Sequence, residues 1–329
     1  MRSGLAGLFA TQGGVFARRQ AIARGYTPRE FDSLTRPRGE WVRVRYGTYT
    51  TRDLWESLDE GGRWLLRDRA ALLVCNDNTV LSHSSSARLL LLPLYGVADG
   101  LSHVTRLGPG QSFRVQSGIM HHLSDLDLSR VMRRDGLLLA DPIQTVADLS
   151  REFGYRTGLV AADAALHEGA SHQEMLARAA AMTTQPRGPI ILAVAQDADG
   201  RAENPLETLG RILLTNMGIA DLELQWRIDF PGGGYAVVDF YSPALDHVFE
   251  TDGRVKYQEQ FDSRGRLVTP SEIVWKEKQR EDKVRGQGHG MSRIVWPDVE
   301  PGSFQRASRR LWAEIHAQRA RGLRLPRGA

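Results

Sequence analysis

The sequence predicts a multidomain α/β protein in which helices and strands are combined in the α+β manner. The reason is that three different patterns follow one another along its 329 residues. Residues 1–55 combine short helical segments with a basic strand pattern, and residues 56–185 mix apolar helices with short strands. Residues 200–329 change to the order helix, three strands, helix, strand, helix. Since domains commonly contain roughly 100–200 residues, this length accommodates two or three domains, and the patterns predict three.

The composition is that of an ordinary globular protein, with 41% hydrophobic and 25% charged residues. The chain lacks an apolar run long enough to span a membrane, and its first residues lack the apolar core of a secretory signal. We therefore expect a cytoplasmic protein without membrane contacts. The single cysteine, Cys75, excludes an internal disulfide and a cysteine-rich zinc site.

Positive charge is concentrated at the two ends of the chain, although the net charge is only +4. Residues 1–50 contain nine arginines against three acidic residues, and residues 303–329 contain seven arginines against one. This distribution indicates a polyanionic partner that contacts the ends of the chain. Arginine-rich surface helices without such a partner are the alternative.

The first 55 residues are typical of a winged helix-turn-helix domain. Short helices are predicted over residues 5–11, 15–24 and 28–36, and residues 41–49 alternate large apolar side chains with arginines. Three helices followed by a basic β-ribbon form a DNA-binding layout. A small helical domain that binds protein is the alternative. The arginines predicted to contact DNA are Arg18 and Arg19 on the second helix, Arg29 and Arg36 on the third, and Arg43 and Arg45 on one face of the wing.

Two stretches of this segment, LAGLFATQGGVFARRQAIARGYTPREFDSL and GEWVRVRYGTYT, resemble the N-terminal winged-helix domain of AbiEi-family antitoxins. The resemblance implies DNA binding, which in that family usually serves transcriptional autoregulation. The stretch ADPIQTVADLSREFGYRTGLVAADAALHEG in the middle region also resembles AbiEi-like proteins. There the resemblance implies a structural bridge between the two ends.

Two histidine-containing motifs of the middle region are predicted to be structural. His83 precedes three serines, but the surrounding sequence has neither the residue order of a catalytic triad nor the glycines of a nucleophile elbow, so we expect a loop and helix cap. His121 and His122 lack a third ligand at helical or strand spacing. They are therefore predicted to be a partly exposed pair.

The C-terminal segment changes to the order α-β-β-β-α-β-α. A glycine-rich hairpin signal at residues 231–234 joins the first two strands. The predicted helices cover residues 204–217, 271–285 and 303–321, and the predicted strands cover residues 222–230, 235–241, 246–251 and 291–296.

Acidic residues fall in two neighbouring strands of this segment. Asp239 lies in the second strand and Glu250 ends the third, so both carboxylates are expected at one edge of the sheet. Carboxylates that converge in this way would bind Mg²⁺ or Mn²⁺ and activate a bound water. Glu207 would add a third carboxylate from the first helix. Structural salt bridges are the alternative for Asp239 and Glu250, and a capping box with Asn204 is the alternative for Glu207.

Five stretches within residues 204–299, NPLETLGRILL, VVDFYSP, HVFETDGRVKY, KEKQREDKVRGQG and SRIVWPDV, resemble the domain related to very-short-patch-repair endonucleases. That domain has the PD-(D/E)XK, or restriction-endonuclease-like, fold. The resemblance implies a metal-dependent DNA endonuclease. By this resemblance Glu207, Asp239, Glu250 and Asp252 match acidic positions that bind metal and take part in catalysis.

The sequence departs from the general pattern of that fold at one position. A lysine is expected two residues beyond the second acid, where this chain has Asp252. Lys256 or Lys278 would then have to supply the positive charge that orients the water or stabilises the phosphate. An inactive domain is the alternative, and Asp252 with Gly253 also fits a simple turn.

Together these patterns predict a cytoplasmic, magnesium-dependent deoxyribonuclease that a winged helix directs to double-stranded DNA, in phage defence or DNA repair. The first alternative is a DNA-binding transcriptional regulator or antitoxin with an inactive nuclease-like domain. The second is a nuclease-fold toxin that acts on RNA. A homodimer is compatible with either DNA-binding function, because winged-helix proteins that read palindromes often dimerise.

Overall fold

The computed structural model describes residues 1–322 apart from 76–77, 99, 108–113, 125, 254–259, 262–266 and 269. The chain divides into two compact units, Met1–Ala198 and Asp199–Ala329, which we call the N-terminal and C-terminal units. The N-terminal unit contains both residues 1–55 and residues 56–185. The predicted combination of helices and sheets in a multidomain α/β chain is confirmed.

The N-terminal unit begins with three helices and a small antiparallel sheet of order β1-β3-β2. A capping box starts the third helix, because Thr27 Oγ1 accepts from Glu30 N and Glu30 Oε2 accepts from Thr27 N. The buried ring of Trp41 packs edge-to-face against Phe16, Tyr26 and Phe31 and so joins the helices to the sheet. The elements are α1 (Ser3–Thr11), β1 (Phe16–Ala17), α2 (Arg18–Ala23), α3 (Pro28–Leu34), β2 (Trp41–Arg45) and β3 (Thr48–Thr51).

The rest of this unit is a six-stranded mixed sheet with helices. Its strand order is β6-β7-β5-β4-β9-β8, and the pairs β5–β7 and β4–β9 are parallel. The strands are β4 (Thr79–Leu81), β5 (Ser102–Leu107), β6 (Arg114–Gln116), β7 (Ile119–Ser124), β8 (Val131–Arg134) and β9 (Leu137–Ala140). The helices are α4 (Arg52–Ser57), α5 (Glu60–Val74), α6 (His83–Leu90), α7 (Pro142–Phe153), α8 (Tyr155–His167), α9 (His172–Ala181) and α10 (Gly188–Asp197).

The C-terminal unit contains a four-stranded sheet of order β10-β11-β12-β15, in which β12 and β15 are parallel. The predicted order α-β-β-β-α-β-α is confirmed, and a short hairpin and a one-turn helix are added to it. The helices are α11 (Pro205–Asn216), α12 (Pro270–Gly286), α13 (Trp296–Val299) and α14 (Phe304–Gly322). The strands are β10 (Glu223–Asp229), β11 (Tyr235–Ser242), β12 (His247–Asp252), β13 (Gln260–Phe261), β14 (Leu267–Val268) and β15 (Gly290–Val295).

Helices cover this sheet on both faces. Helix α11 approaches one face closely at Gly210, where an added Cβ would lie 3.4 Å from the side chains of Phe240 and Thr251. On the other face, Val284 of α12 packs in one cluster with Val248. Because neighbouring side chains along a strand point to opposite faces, these contacts place Val248 and Glu250 of β12 toward α12 and Thr251 toward α11.

No helix within the described ranges combines the length and the apolar character needed to cross a lipid bilayer.

Candidate functional site

Glu207 lies in the first turn of α11 and is only 4% exposed. The helix is capped by Asn204, whose Oδ1 accepts from the backbone N–H of Leu206 and Glu207 at 2.9 and 3.1 Å. The Glu207 carboxylate in turn accepts from Glu203 N at 2.8 Å and from the side-chain amide of Asn204. Asn204 therefore caps α11, while the Glu207 carboxylate bonds to Glu203 N and to the Asn204 side chain instead of the Asn204 N–H that a full capping box would use.

Burial also determines the charge of Glu207. Burial, together with the nearby negative charge of Asp239, raises the pKa of its carboxyl group to about 7. Gln225 Nε2 donates to Glu207 Oε2 at 3.0 Å. Gln225 has a φ of 51° inside β10, a conformation that side chains rarely adopt. Gln225 is not predicted from the sequence as a site residue, because no local sequence pattern indicates a strand residue with a left-handed backbone.

Asp239 is half-buried and binds the next strand through its side chain. Its Oδ2 accepts from both the backbone N–H and the hydroxyl of Thr251, at 2.6 Å each. The paired positions of β11 and β12 extend only as far as Phe240 and Phe249. The carboxylate of Asp239 therefore satisfies an N–H that a longer ladder would have paired with a carbonyl.

Glu250 is 7% exposed and contacts an arginine of α12. Arg280 Nη2 donates to Glu250 Oε2 at 3.1 Å, and Arg280 Nη1 donates to the carbonyl of Val237 at 2.8 Å. Glu250 therefore lies toward α12, whereas Thr251, the partner of Asp239, lies toward α11. The structure brings together Glu207 and Asp239, and it gives Glu250 a cationic partner.

Asp252 contacts an arginine of β15. Arg293 donates through Nη1 to Asp252 Oδ2 at 3.2 Å and through Nη2 to Glu281 Oε2 at 2.6 Å. Glu281 also pairs with Arg285 at 2.8 Å, as expected for a helix ion pair. Lys278 is exposed on α12. Lys256, the other lysine predicted to supply the positive charge, lies outside the described residues.

The three carboxylates predicted as metal ligands do not form one compact group. In the described part of the chain, one group of three or more histidine, cysteine, aspartate or glutamate side chains has its ligand atoms within 4.8 Å of one another, and it consists of His83, His103 and His122. Glu207, Asp239 and Glu250 are not such a group among the described residues, and Glu250 is paired with Arg280 of α12. Their role as metal ligands stays a prediction.

Five of the six arginines predicted to contact DNA are exposed, namely Arg18, Arg19, Arg29, Arg36 and Arg43. The sixth, Arg45, is 9% exposed, and its guanidinium donates to the carbonyls of Arg67 and Ser117 at 3.1 and 2.9 Å. A register shift between Arg43 and Arg45 interrupts the pairing of β2 with β3. The prediction that these two side chains share one exposed face is therefore wrong, because the irregular strand turns Arg45 inward.

The prediction for His121 and His122 also needs correction. His122 is buried rather than partly exposed, and it lies beside His83 and His103. His83 starts α6 directly, and its ring belongs to the interior and not to a loop. The sequence gives no sign of this group, since its members are 20 and 19 residues apart on three different elements.

No family model matches the chain. Two uncharacterized proteins of Mycobacterium tuberculosis, from strains CDC 1551 and H37Rv, are each 27% identical to it over 289 residues, which is 86% of this chain and 94% of each relative. A crystal structure of the RV2827C protein from Mycobacterium tuberculosis is similar with a TM-score of 0.39 and 15% identity, over 62% of this chain and 78% of that protein.

Proposed function

We propose that the C-terminal unit is a metal-dependent DNA endonuclease and that Glu207 and Asp239 hold its Mg²⁺ or Mn²⁺. The proposal depends mainly on the buried Glu207 carboxylate beside the Asp239 carboxylate, with a pKa of about 7 for Glu207. Two neighbouring carboxylates in a desolvated place disfavour each other's charge, and a divalent cation removes that repulsion. Oxygen ligands of this kind suit a hard cation.

The residues around Asp239 would keep its carboxylate in position for a cation. Thr251 restrains Oδ2 with two hydrogen bonds, and Gln225 and Asn204 restrain Glu207. Side chains restrained in this way need little reorganisation when an ion binds. When bound, the ion would lower the pKa of a water ligand and neutralise charge on the scissile phosphate.

Arg280 is our candidate for the positive charge that the lysine supplies in the general pattern of the fold. Its guanidinium contacts Glu250 at 3.1 Å and is 30% exposed. A guanidinium can bind two phosphate oxygens at once, which suits a group that stabilises a pentavalent phosphate. Glu250 would hold this guanidinium near the end of β12 rather than bind the ion itself.

The five exposed arginines of α2, α3 and β2 would direct the nuclease to double-stranded DNA in the cytoplasm. They include Arg18 and Arg19, which line one cleft together with Arg106 and Arg114. Contacts between such side chains and phosphates give affinity that falls steeply with salt.

The test is a plasmid-nicking assay with the full chain in Mg²⁺ or Mn²⁺, offered in parallel DNA and RNA. We expect nicking of DNA by the wild type and a loss of at least about 100-fold in Asp239→Asn and Glu207→Gln. Asp229→Asn is the matched control, because Asp229 is an exposed acid of the same sheet that pairs with Arg227. Unchanged nicking in both variants would refute the assignment, and cleavage of RNA alone would favour the RNA-directed toxin.

A second function is supported by the arginine partners of Glu250 and Asp252. Ion pairs with Arg280 and Arg293 occupy two acidic positions that the resemblance assigns to metal. In a DNA-binding regulator or antitoxin with an inactive nuclease-like domain, these pairs would be permanent. That protein would bind duplex DNA equally well with and without EDTA, and it would cleave neither nucleic acid in any divalent ion.

A further inference from the structure

Three buried histidines of the N-terminal unit lie side by side. His83, His103 and His122 are 5%, 1% and 8% exposed, and their ligand nitrogens lie within 4.8 Å of one another. Nδ1 of His103 is 2.9 Å from Nε2 of His122. The imidazole of His83 stacks on that of His122 with 3.7 Å between ring centroids and 12° between planes.

The sheet explains why two of these residues meet. His103 of β5 is paired with Met120 of the parallel strand β7, and His122 follows two residues later. Since side chains alternate along a strand, His103 and His122 lie on the same face and His121 lies on the other. Phe153 of α7 covers His103, with 5.9 Å between ring centroids.

His83 reaches the same face of the sheet because its backbone has a left-handed conformation. Ser82 N donates to the carbonyl of His103, and α6 then begins at His83 with a φ of 49°. This left-handed conformation is unfavourable for a residue that is not glycine. Ser85 Oγ accepts from His103 N at 2.8 Å and holds the start of α6 against β5. The fold therefore maintains a strained backbone where three imidazoles come together.

The three imidazoles lie in a place shielded from water. A neutral ring has a lone pair to offer a metal ion, whereas a protonated ring does not. Burial disfavours the protonated form, so these surroundings favour rings that can bind a metal ion.

The carboxylate of Asp148 lies on the Nδ1 side of the His83 ring. Asp148 Oδ2 is 3.7 Å from His83 Nδ1, and Ser82 Oγ is 3.0 Å from the same nitrogen. Asp148 is itself held by Gln144 Nε2, which donates to Oδ1 at 2.8 Å. Histidines that bind metal commonly direct their other nitrogen to a carboxylate, which orients the ring. Ser82 Oγ is within hydrogen-bond distance of His83 Nδ1 and Asp148 Oδ2 lies just beyond it, so we assign Nε2 of His83 to the ion.

The geometry points to a binding site for a divalent transition-metal ion of the Zn²⁺ class, with His83, His103 and His122 as its ligands. Zn²⁺ binds imidazole nitrogens at about 2.0–2.1 Å with tetrahedral geometry, which corresponds to roughly 3.4 Å between nitrogens. The 2.9 Å between His103 Nδ1 and His122 Nε2 is about 0.5 Å shorter than this. The rings of His83 and His122 are stacked, so one of them would have to turn out of the stack for both to bind the ion. The site would fix α6 to the sheet, and its ion would differ in kind from the Mg²⁺ of the proposed nuclease.

The test is a metal titration of the full-length protein after dialysis against EDTA. We expect one Zn²⁺ to bind in competition with a chromophoric chelator, and Co²⁺ to give the visible absorption of a tetrahedral site. Mg²⁺ in excess should not compete, because it prefers oxygen ligands. Retention of Zn²⁺ in Asp239→Asn and Glu207→Gln would separate this site from the carboxylates of the C-terminal unit.

Variants identify the ligands. His122→Gln and His103→Gln should lower Zn²⁺ affinity by 100-fold or more, and Asp148→Asn by 10- to 100-fold. His121→Gln is the matched control, because it changes the adjacent histidine on the opposite face and should leave affinity unchanged. If the ligand variants fail to fold, the Asp148→Asn titration and the Co²⁺ spectrum of the wild type still decide the question.

Two results would overturn the proposal. One is a wild-type protein that binds no Zn²⁺ or Co²⁺ at micromolar concentration and neutral pH, in which case the three rings form a hydrogen-bonded stack without an ion. The other is an equal loss of affinity in His121→Gln and His122→Gln, which would place the ion elsewhere.

Discussion

The hydroxyl and the backbone N–H of Thr251 both donate to Oδ2 of Asp239, at 2.6 Å each. This pair joins β11 to β12 where their regular pairing ends. It fixes the orientation of a carboxylate that we propose as a metal ligand. Thr251, which lies between Glu250 and Asp252 in β12, would therefore control how well the site is organised.

We expect Thr251→Val to lower the rate of DNA nicking by about 10-fold, since it removes one of the two restraints on Asp239 and retains the other. The loss should be in kcat, with KM for DNA unchanged, because Thr251 positions a ligand and does not bind the substrate. Steady-state nicking kinetics measure both constants. Thr251→Ser keeps a hydroxyl and should recover most of the rate, and equal impairment of the two variants would contradict the positioning role.

Variants of the ion pair between Arg280 and Glu250 can distinguish an effect on stability from an effect on nicking activity. Arg280→Met leaves a buried carboxylate without this partner, so we expect the free energy of unfolding to fall by about 2–4 kcal/mol. The double variant with Glu250→Gln should recover most of that stability, because the uncompensated charge is gone. Urea unfolding measures both changes.

Nicking by the same double variant tests the catalytic role of Arg280. We expect activity to stay low in it, because the guanidinium would act on the phosphate as well as on Glu250. Wild-type nicking by a double variant of restored stability would show that Arg280 is only a structural partner.

Arg45 and Arg43 are two residues apart, but we expect Arg45 to matter for stability and Arg43 for DNA binding. Arg45→Met removes a buried guanidinium that donates to the carbonyls of Arg67 and Ser117. We expect a loss of about 2–4 kcal/mol in stability by thermal or urea unfolding, since the acceptors are left without this donor. Arg43→Met changes an exposed side chain and should alter stability by less than about 0.5 kcal/mol.

DNA binding should depend on Arg43 instead. Removal of one phosphate contact lowers the slope of log affinity against log salt by about 1. Fluorescence anisotropy with a labelled duplex, at several salt concentrations and in EDTA, measures that slope. An unchanged slope in Arg43→Met would contradict the proposed contact between the wing and DNA.

His247 should make the C-terminal unit less stable in acid. Burial lowers its pKa to about 4 from an ordinary value of 6.5, and its Nε2 lies 2.9 Å from Ser292 Oγ. Because the unfolded chain binds the proton more readily, the contribution to stability is complete above pH 6.5 and is lost as the pH falls toward 4. It amounts to about 3.5 kcal/mol for the whole shift from 6.5 to about 4, since one pKa unit corresponds to about 1.4 kcal/mol.

Urea unfolding at pH values from 4.5 to about 7.5 measures this dependence. His247→Gln should be less sensitive to pH than the wild type. His316→Gln is the control, because it removes an exposed imidazole of α14 and should leave the sensitivity as it is. Equal pH profiles for the wild type and His247→Gln would remove His247 as the cause.

The order of elements and their approximate ends follow from the sequence. The C-terminal α-β-β-β-α-β-α order agrees with the structure, and so does Asn204 as the cap of α11. These features depend on residues within a few positions of one another, where hydrogen-bonding capacity and apolar periodicity act directly. Glu207, Asp239 and Glu250 could be named for the same reason, since acids in apolar surroundings are visible in the sequence.

Only the tertiary structure decided which of these groups meet. It paired Arg280 with Glu250 and Thr251 with Asp239, and it buried Arg45. It also brought His83, His103 and His122 together from three elements. Such pairings depend on strand register, on single left-handed residues and on which helix covers which face. Those properties arise from packing between residues far apart in the chain, and no local pattern encodes them.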